Sequence, residues 1–240
     1  MKIIVCDTYK EMSAEAAKIV ASLMTEKPDC VLGLATGSTP IGMYEELVRM
    51  TNEGKISFEK VTSYNLDEYF PLEPTHEQSY RYFMNQHLFD LVNIDKAKTF
   101  VPNGLSKDPE KEGAAYDAAI AAAGGVDLQI LGIGQNGHIG FNEPDDALIA
   151  GTHVTALTEN TIEANSRFFA SKADVPTHAF TMGMGSIMKA KKIVILANGA
   201  NKHDAVAQLL DDKITTKCPA TFLKAHADVT LICDKAAFNG

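Results

Sequence analysis

Short apolar runs alternate with longer amphipathic segments along the whole chain. Apolar runs of this kind predict buried strands, which we place at 2–6, 30–35, 61–66, 98–101, 126–133, 153–157, 179–182, 192–197 and 229–233. The segments between them predict helices, at 8–26, 40–50, 78–91, 108–123, 158–169, 185–190 and 201–210. Buried strands that alternate with helices form parallel sheets covered on both faces. The pattern therefore predicts an α/β fold, a doubly wound, mostly parallel sheet with helices on both faces. No linker divides residues 1–240, which we expect to form a single domain.

Composition and charge exclude several functional classes. Of the 240 residues, 45% are hydrophobic and 22% are charged, as in an ordinary globular protein. The formal net charge of −9 leaves no basic surplus for binding nucleic acid. The four cysteines lie far apart without CxxC spacing, which predicts reduced core thiols in a cytoplasmic protein. The N-terminus is charged too early for a signal peptide, and no apolar run approaches the ~18 residues of a membrane span, so we expect neither export nor membrane insertion.

The loop after the second predicted strand is a candidate anion site. It contains Thr36, Gly37, Ser38 and Thr39, and Pro40 suits the first turn of the next helix. Backbone N–H groups and the positive end of a helix dipole together favour a phosphate. The nucleotide-binding P-loop pattern is absent, because no Lys-Ser/Thr pair follows at the required spacing. A tight turn with a helix cap would explain the same residues.

Asp67 follows the third predicted strand, within the segment NLDEY at 65–69. A carboxylate just past a buried strand can act as a general base whose pKa is set by partial burial. The alternative is that Asp67 caps a turn or a helix.

The segment VDLQILGIGQNGHIGFNEP, 126–144, begins as a buried strand and then becomes rich in glycine. Four glycines lie within nine residues, at Gly132, Gly134, Gly137 and Gly140. The first three match the GxGxxG fingerprint of dinucleotide-binding proteins. The residues that follow, HIGFNEP, contain a glycine and a proline and cannot begin the helix that would receive a pyrophosphate. The fingerprint is therefore discounted.

The same segment places His138 close in sequence to Asn136 and Glu143. These neighbours can orient one ring nitrogen and leave the other ready for proton transfer. A buried, hydrogen-bonded histidine without a chemical role is the alternative. A metal site is disfavoured, since no second histidine or cysteine lies at ligand spacing.

Two later cations could complete an anion site. Arg167 is expected on a helix before Phe168 and Phe169, and Lys202 just past a strand. An arginine can grip two phosphate oxygens at once. Either residue could equally be a solvated surface charge.

Taken together, these motifs resemble the glucosamine-6-phosphate deaminase (glucosamine-6-phosphate isomerase) family, in its short form. The similarity covers nearly the whole length: ATGSTP at 35–40, NLDEY at 65–69, LGIGQNGHIGFNEP at 131–144, ANSRFF at 164–169 and TMGMGSIMKAKKIVILANGANK at 181–202. The resemblance implies a Rossmann-like catalytic domain that converts glucosamine 6-phosphate and water into fructose 6-phosphate and ammonia. It implies no cofactor and no metal, and a role in amino-sugar catabolism.

The resemblance also implies a role for each site residue. Asp67 would move a proton between C2 and C1 of the open-chain sugar, and His138 would assist opening of the pyranose ring. Asn136 and Glu143 would set the orientation and charge of His138. The phosphate would be held by Thr36, Gly37, Ser38, Thr39, Arg167 and Lys202.

Two departures from longer family members affect the expected behaviour. Many of those members carry aspartate at position 136, whereas Asn136 cannot share a negative charge with His138, so that charge would rest on Glu143. Longer members also carry basic residues after FNEP that bind an allosteric amino-sugar phosphate. Here 145–153 is acidic and nearly free of cations, so we expect no activation by N-acetylglucosamine 6-phosphate.

Two other functions fit parts of the pattern. 6-Phosphogluconolactonase, a hydrolase of similar fold, shares the phosphate turn and a Gly-His loop but lacks the FNEP continuation. A sugar-phosphate sensor of a transcriptional regulator would add a basic DNA-binding region, for which this chain has neither length nor charge. The oligomeric state is left open between a monomer and a homo-oligomer.

Overall fold

A seven-stranded parallel sheet forms the centre of the molecule, in a computed structural model that describes residues 1–166, 169, 171 and 174–240. The strand order is β1-β10-β9-β6-β2-β3-β5, and every neighbouring pair runs parallel. The strands are β1 (Lys2–Cys6), β2 (Val31–Leu34), β3 (Thr62–Asn65), β5 (Thr99–Phe100), β6 (Leu128–Gly132), β9 (Lys192–Ala197) and β10 (Val229–Asp234). All four residues of β2 are buried although their side chains alternate between the two faces, so both faces of the sheet are covered. The predicted α/β fold class is confirmed.

The sheet is flanked by helices at most of the predicted positions. They are α1 (Tyr9–Glu26), α2 (Ile41–Asn52), α3 (Tyr80–Met84), α4 (Pro109–Ala122), α5 (Glu159–Ser166), α6 (Met184–Ile187), α7 (His203–Leu210) and α8 (Lys235–Asn239). The hydroxyl of Thr8 accepts a hydrogen bond from the backbone N–H of Glu11 at the start of α1, and Asp108 caps α4 in the same way. Short 3₁₀ turns occupy Lys96–Lys98, Ala200–Lys202 and Pro219–Ala225.

A second, antiparallel sheet was not predicted. Its strands are β4 (Asp67–Phe70), β7 (His153–Ala156) and β8 (His178–Thr181), in the order β4-β8-β7. The segments 153–157 and 179–182 are strands as expected, but they do not extend the parallel sheet. The chain leaves β3 at Asn65 and, after Leu66, begins β4 directly at Asp67, so the segment that follows the third predicted strand is itself a strand.

Two boundaries also differ from expectation. The predicted helix at 78–91 is α3 followed by a π-helical turn at Asn85–Phe89. The chain does not finish on the strand at 229–233, because the Asp234 side chain accepts from the backbone N–H of Ala237 and begins α8. The far end of the predicted helix at 158–169 lies in part outside the described residues.

The order of the strands fixes where a ligand is expected. After β2 the chain proceeds to β3 and β5 on one side, whereas after β6 it proceeds to β9 and β10 on the other. In open parallel sheets the crevice beyond the carboxyl ends of the strands at such a reversal is the usual binding site. Here it lies between the loops that follow β2 and β6.

Candidate active site

A cavity of about 570 Å³ lies at this position. Its lining includes Asp67, Asn136, His138, Lys202 and the whole 36–39 loop, which are residues of four segments far apart in sequence. The structure therefore brings most of the predicted site residues together. Glu143 lies behind His138, and its side chain is only 10% exposed. Arg167, the remaining predicted phosphate ligand, lies outside the described residues.

Glycines shape the loop that carries His138. A Cβ at Gly134 would lie 2.3–2.5 Å from atoms of the His138 ring, so the ring occupies space that a side chain would take. Gly137 and Gly140 have φ angles of +82° and +59°, which favour glycine. The backbone N–H of Gly134 donates to the His138 carbonyl at 2.9 Å, closing the turn. The glycines therefore make room for the His138 ring and allow the turn that carries it, so the pattern needs no nucleotide to explain it.

His138, Glu143 and Asn136 form one hydrogen-bonded group. His138 Nδ1 lies 3.2 Å from Glu143 Oε2, and Asn136 Nδ2 donates to the same oxygen at 2.7 Å. Asn136 Oδ1 accepts from the backbone N–H of His138 at 3.2 Å, which fixes the orientation of its amide. An ionised carboxylate only accepts hydrogen bonds, so Nδ1 carries the proton and Nε2 is the nitrogen free to exchange one.

Two threonines of the α5 region, neither of them predicted from the sequence, complete the surroundings of Glu143. The Thr161 hydroxyl donates to Glu143 Oε1 at 2.7 Å, and the Thr158 hydroxyl lies 3.5 Å from the same atom. Burial alone would raise the pKa of Glu143, but His138, Thr161 and Asn136 together lower it to about 2. Glu143 is therefore ionised at neutral pH. The T-x-x-T spacing at the start of a predicted helix was the signal available for these residues.

Asp67 is the buried carboxylate of the cavity. It begins β4, is 6% exposed, and its Oδ1 has no hydrogen-bond partner among the described residues. Burial and then the charge of Glu68 raise the pKa of Asp67 to about 8, although a hydrogen bond with Thr36 opposes the shift. A carboxylate with a pKa near the operating pH is well matched to general-base catalysis.

The 36–39 loop, which also lines the cavity, offers donors to an anion. The 36–39 loop joins β2 to the start of α2, where the helix dipole is positive. Thr39 Oγ1 donates to Asn198 Oδ1 at 2.8 Å, linking this loop to the loop after β9 that carries Lys202. Gly199, with a φ of +87°, turns that second loop towards the 3₁₀ turn ending at Lys202. The arrangement suits a phosphate.

Several other lining residues escaped prediction, among them Tyr80, Asn198 and Asn201. The two asparagines follow the carboxyl end of β9, so the rule that located the other loops would have located them too. Tyr80 lies at the start of the short helix α3, and no sequence pattern marks it.

Comparisons with known proteins match this chain to one family over almost its whole length. A family model described as glucosamine-6-phosphate isomerases/6-phosphogluconolactonase matches residues 7–232. A Clostridium perfringens protein named glucosamine-6-phosphate deaminase is 59% identical over 237 residues, which cover 99% of this chain and 98% of that protein. A protein of the same name from Thermoanaerobacter pseudethanolicus is 55% identical over 237 residues, covering 99% and 94%.

Comparisons with solved structures show that the fold is similar as well. The structure of a monomeric glucosamine-6-phosphate deaminase is 43% identical, with a TM-score of 0.97 and coverage of 100% of this chain and 99% of that one. A 6-phosphogluconolactonase from Trypanosoma brucei reaches a TM-score of 0.75 at 19% identity, covering 99% and 97%. The second likeness concerns the fold alone.

Proposed function

The chain belongs to the glucosamine-6-phosphate isomerase/6-phosphogluconolactonase family, and we propose that it is a glucosamine-6-phosphate deaminase. It converts glucosamine 6-phosphate and water into fructose 6-phosphate and ammonia. The observation that carries the proposal is the convergence of a buried carboxylate, a histidine–carboxylate pair and an anion loop in one cavity. An aldose–ketose isomerisation needs each of these three parts.

Ring opening is the first step, and we assign it to His138. The Nε2 side of the ring is available to the sugar, while Nδ1 is held by Glu143. The imidazole relays the proton lost by the C1 hydroxyl to the ring oxygen as the C1–O5 bond breaks, which yields the open-chain aldehyde. Such a positioned acid–base group typically contributes ~10²–10⁴ in rate.

Isomerisation follows, and Asp67 is the base. Its carboxylate removes the C2 proton and returns a proton to C1, while the C1 carbonyl oxygen takes up a proton given up by the C2 ammonium group. The aldehyde thereby becomes a hydroxymethyl group, and the carbon–nitrogen bond at C2 becomes an iminium. Water then adds to C2 and ammonia leaves, giving the ketose. A substrate ammonium group near Asp67 would lower the raised pKa of this carboxyl and favour its ionised form as the complex forms.

Phosphate binding anchors the substrate through the 36–39 loop and the residues beside it. The phosphate ligands are Thr36, Gly37, Ser38, Thr39 and Lys202, together with Arg167, which lies outside the described residues. Binding energy from this remote group is available to position the reacting carbons. None of these steps calls for a cofactor or metal.

The cellular setting is proposed on the same grounds. The activity belongs to amino-sugar catabolism, and residues 1–240 act as one catalytic domain. All four cysteines are buried and free, which suits a reducing cytoplasm. No helix within the described ranges combines the length and apolar character needed to cross a bilayer.

An assay of ammonia release tests the proposal. Purified protein given glucosamine 6-phosphate should produce ammonia and fructose 6-phosphate in equal amounts, each followed by a coupled assay. Protein that yields neither, while hydrolysing 6-phosphogluconolactone, would assign the cavity to lactone hydrolysis instead. Asp67→Asn should abolish exchange of the C2 proton with solvent yet still bind an open-chain phosphate analogue, and exchange at the wild-type rate would remove Asp67 from the role of base.

A further inference from the structure

Glu143 is held from two sides, and only one of them belongs to the His138 loop. On the loop side, Oε2 accepts from Asn136 Nδ2 at 2.7 Å and faces His138 Nδ1 at 3.2 Å. On the other side, Oε1 accepts from the Thr161 hydroxyl at 2.7 Å. Thr161 lies in the first turn of α5, a helix that begins 16 residues after Glu143.

The direction of the Thr161 hydrogen bond is set by its neighbour. The Thr158 oxygen accepts from the backbone N–H of Thr161 at 3.3 Å, as an N-cap does, and the Thr158 hydroxyl lies 3.0 Å from Thr161 Oγ1. Because Thr158 donates to Thr161, the Thr161 proton is directed at Glu143. Hydrogen bonds in such a series polarise one another, and here the series ends at the negative charge of Glu143.

Orientation of Glu143 matters more in this chain than in one with a charged group at position 136. Asn136 supplies hydrogen bonds but no negative charge, so the carboxylate of Glu143 provides the charge in this group. A carboxylate fixed at one oxygen alone could rotate away from the histidine. The second hydrogen bond, from α5, prevents that rotation.

We propose that Thr161 is a positioning residue for ring opening: its hydroxyl holds Glu143 so that Oε2 keeps the proton on His138 Nδ1 and leaves Nε2 for the sugar. The inference rests on the proposed deaminase function for its kinetic consequence, but its structural consequence for His138 does not depend on the substrate. The first turn of α5 is thereby part of the acid–base apparatus.

Thr161→Val removes the hydroxyl while preserving the shape of the side chain. We expect kcat/KM for glucosamine 6-phosphate to fall on the order of 10-fold, since one of the supports of an acid–base group is lost. Affinity for an open-chain amino-alditol phosphate, which needs no ring opening, should stay within about twofold of wild type, as binding energy comes from the intact phosphate end. Thr161→Ser, which keeps the hydroxyl, should recover most of the activity. Thr155→Val on β7 is the matched control, because the Thr155 hydroxyl bonds to the Ala156 carbonyl and not to Glu143.

The ligand-free protein gives a second test through the ring nitrogens of His138. With ¹⁵N-labelled histidine at alkaline pH, where imidazole is neutral, wild type and Thr155→Val should carry the His138 proton on Nδ1, and Thr161→Val should show a mixture of the two tautomers. An unchanged tautomer in Thr161→Val, or a Thr161→Ser variant as impaired as Thr161→Val, would overturn the proposal. This measurement stands even if wild-type protein releases no ammonia, so failure of the proposed function and failure of the inference can be told apart.

Discussion

Asp67 is a single residue whose burial lowers the stability of the folded protein and raises the pKa of its own carboxyl. Its side chain is buried, its Oδ1 has no hydrogen-bond partner among the described residues, and the neighbouring Glu68 adds a second negative charge. These features raise its pKa to about 8, far above the ordinary value near 4. A structural carboxylate would instead be paired, and its pKa lowered. The proposed role of Asp67 as a base would account for this unfavourable burial, because a base needs a pKa near the operating pH.

The sign of the stability effect follows from this pKa. Unfolded chains lose the Asp67 proton near pH ~4, whereas the folded protein keeps it up to about pH 8. Ionisation therefore favours the unfolded chain increasingly as pH rises between these values, and the penalty is constant above the folded pKa. Asparagine at this position stays neutral throughout and avoids the penalty.

Asp67→Asn should accordingly be more stable than wild type while being inactive. The gain should be on the order of 2–4 kcal/mol near pH 8.5 and clearly smaller near pH 5. Urea unfolding at the two pH values measures it, with Asp228→Asn, an exposed aspartate, as the control that shows no gain. If Asp67→Asn gained the same free energy of unfolding at both pH values, or lost stability at both, Asp67 would not be a buried carboxyl with a raised pKa.

The sequence predicted which residues gather at the cavity better than it predicted the contacts between them. Asp67, His138 and Asn136 line one cavity because strand ends in a parallel sheet converge. Thr161 could not be inferred in the same way, since a threonine in the first turn of a helix usually serves as a cap or faces solvent. Its contact with Glu143 depends on how α5 packs against the loop, which is a tertiary fact.

At the scale of elements, periodicity located the strands but not the sheet to which each belongs. The sequence predicted one strand at 61–66, yet β4 follows β3 with only Leu66 between them. The residues of β4, Asp67–Phe70, are two acids and two aromatics, and only pairing with β8 makes them a strand. Burial of acids in a strand opposes the usual propensities, so the sequence alone did not predict this strand.

Helix α4 shows a second conflict between local preference and packing. Gly113 lies inside this helix, and a Cβ there would lie 2.1 Å from the backbone oxygen of Thr152. That oxygen cannot easily retreat, because Asp117 of the same helix accepts from both the backbone N–H and the hydroxyl of Thr152, at 2.8 and 2.6 Å. The glycine allows α4 to approach the chain just before β7.

Gly113→Ala should therefore destabilise the protein, although helix propensity alone predicts a gain of about 1 kcal/mol. We expect a loss on the order of 2 kcal/mol or more, because a backbone clash has to be relieved by moving β7. Thermal or urea unfolding provides the measurement. Ala114→Gly, at an exposed position of the same helix, should show ordinary helix behaviour and lose about 1 kcal/mol. A stabilised Gly113→Ala protein would mean that α4 and the 152 segment are not in close contact.

At the scale of the whole molecule, the parallel sheet has a carboxyl edge, where its strands end, and an amino edge, where they begin. A buried aspartate lies at each, and the pKa values of the two are shifted in opposite directions. The carboxyl edge carries Asp67 with a raised pKa. At the amino edge, Asp127 directly precedes β6 and is also buried, but it is paired with Lys27 and Lys191, each at 2.7 Å, and accepts from the Val31 N–H at 2.8 Å. Although burial alone would raise the pKa of Asp127, these partners hold it below its ordinary value. The length of β6 separates the two sites by roughly 15–20 Å.

Asp127→Asn should therefore have effects opposite to those of Asp67→Asn: a loss of stability with catalysis retained. Removing the charge leaves two lysines without their shared partner, and we expect a loss on the order of 1–3 kcal/mol at neutral pH. Because the pKa of Asp127 is lowered in the folded protein, its contribution is full above pH ~4 and is lost as pH falls further, so the two proteins should converge in acid. Unfolding curves from neutral to acidic pH measure this difference, while kcat for ammonia release should stay within about twofold of wild type, since the acid–base groups lie at the other edge. A variant that loses activity in proportion to its stability would show that the two edges are coupled, and that the site depends on the amino ends of the strands as well as on the loops beyond their carboxyl ends.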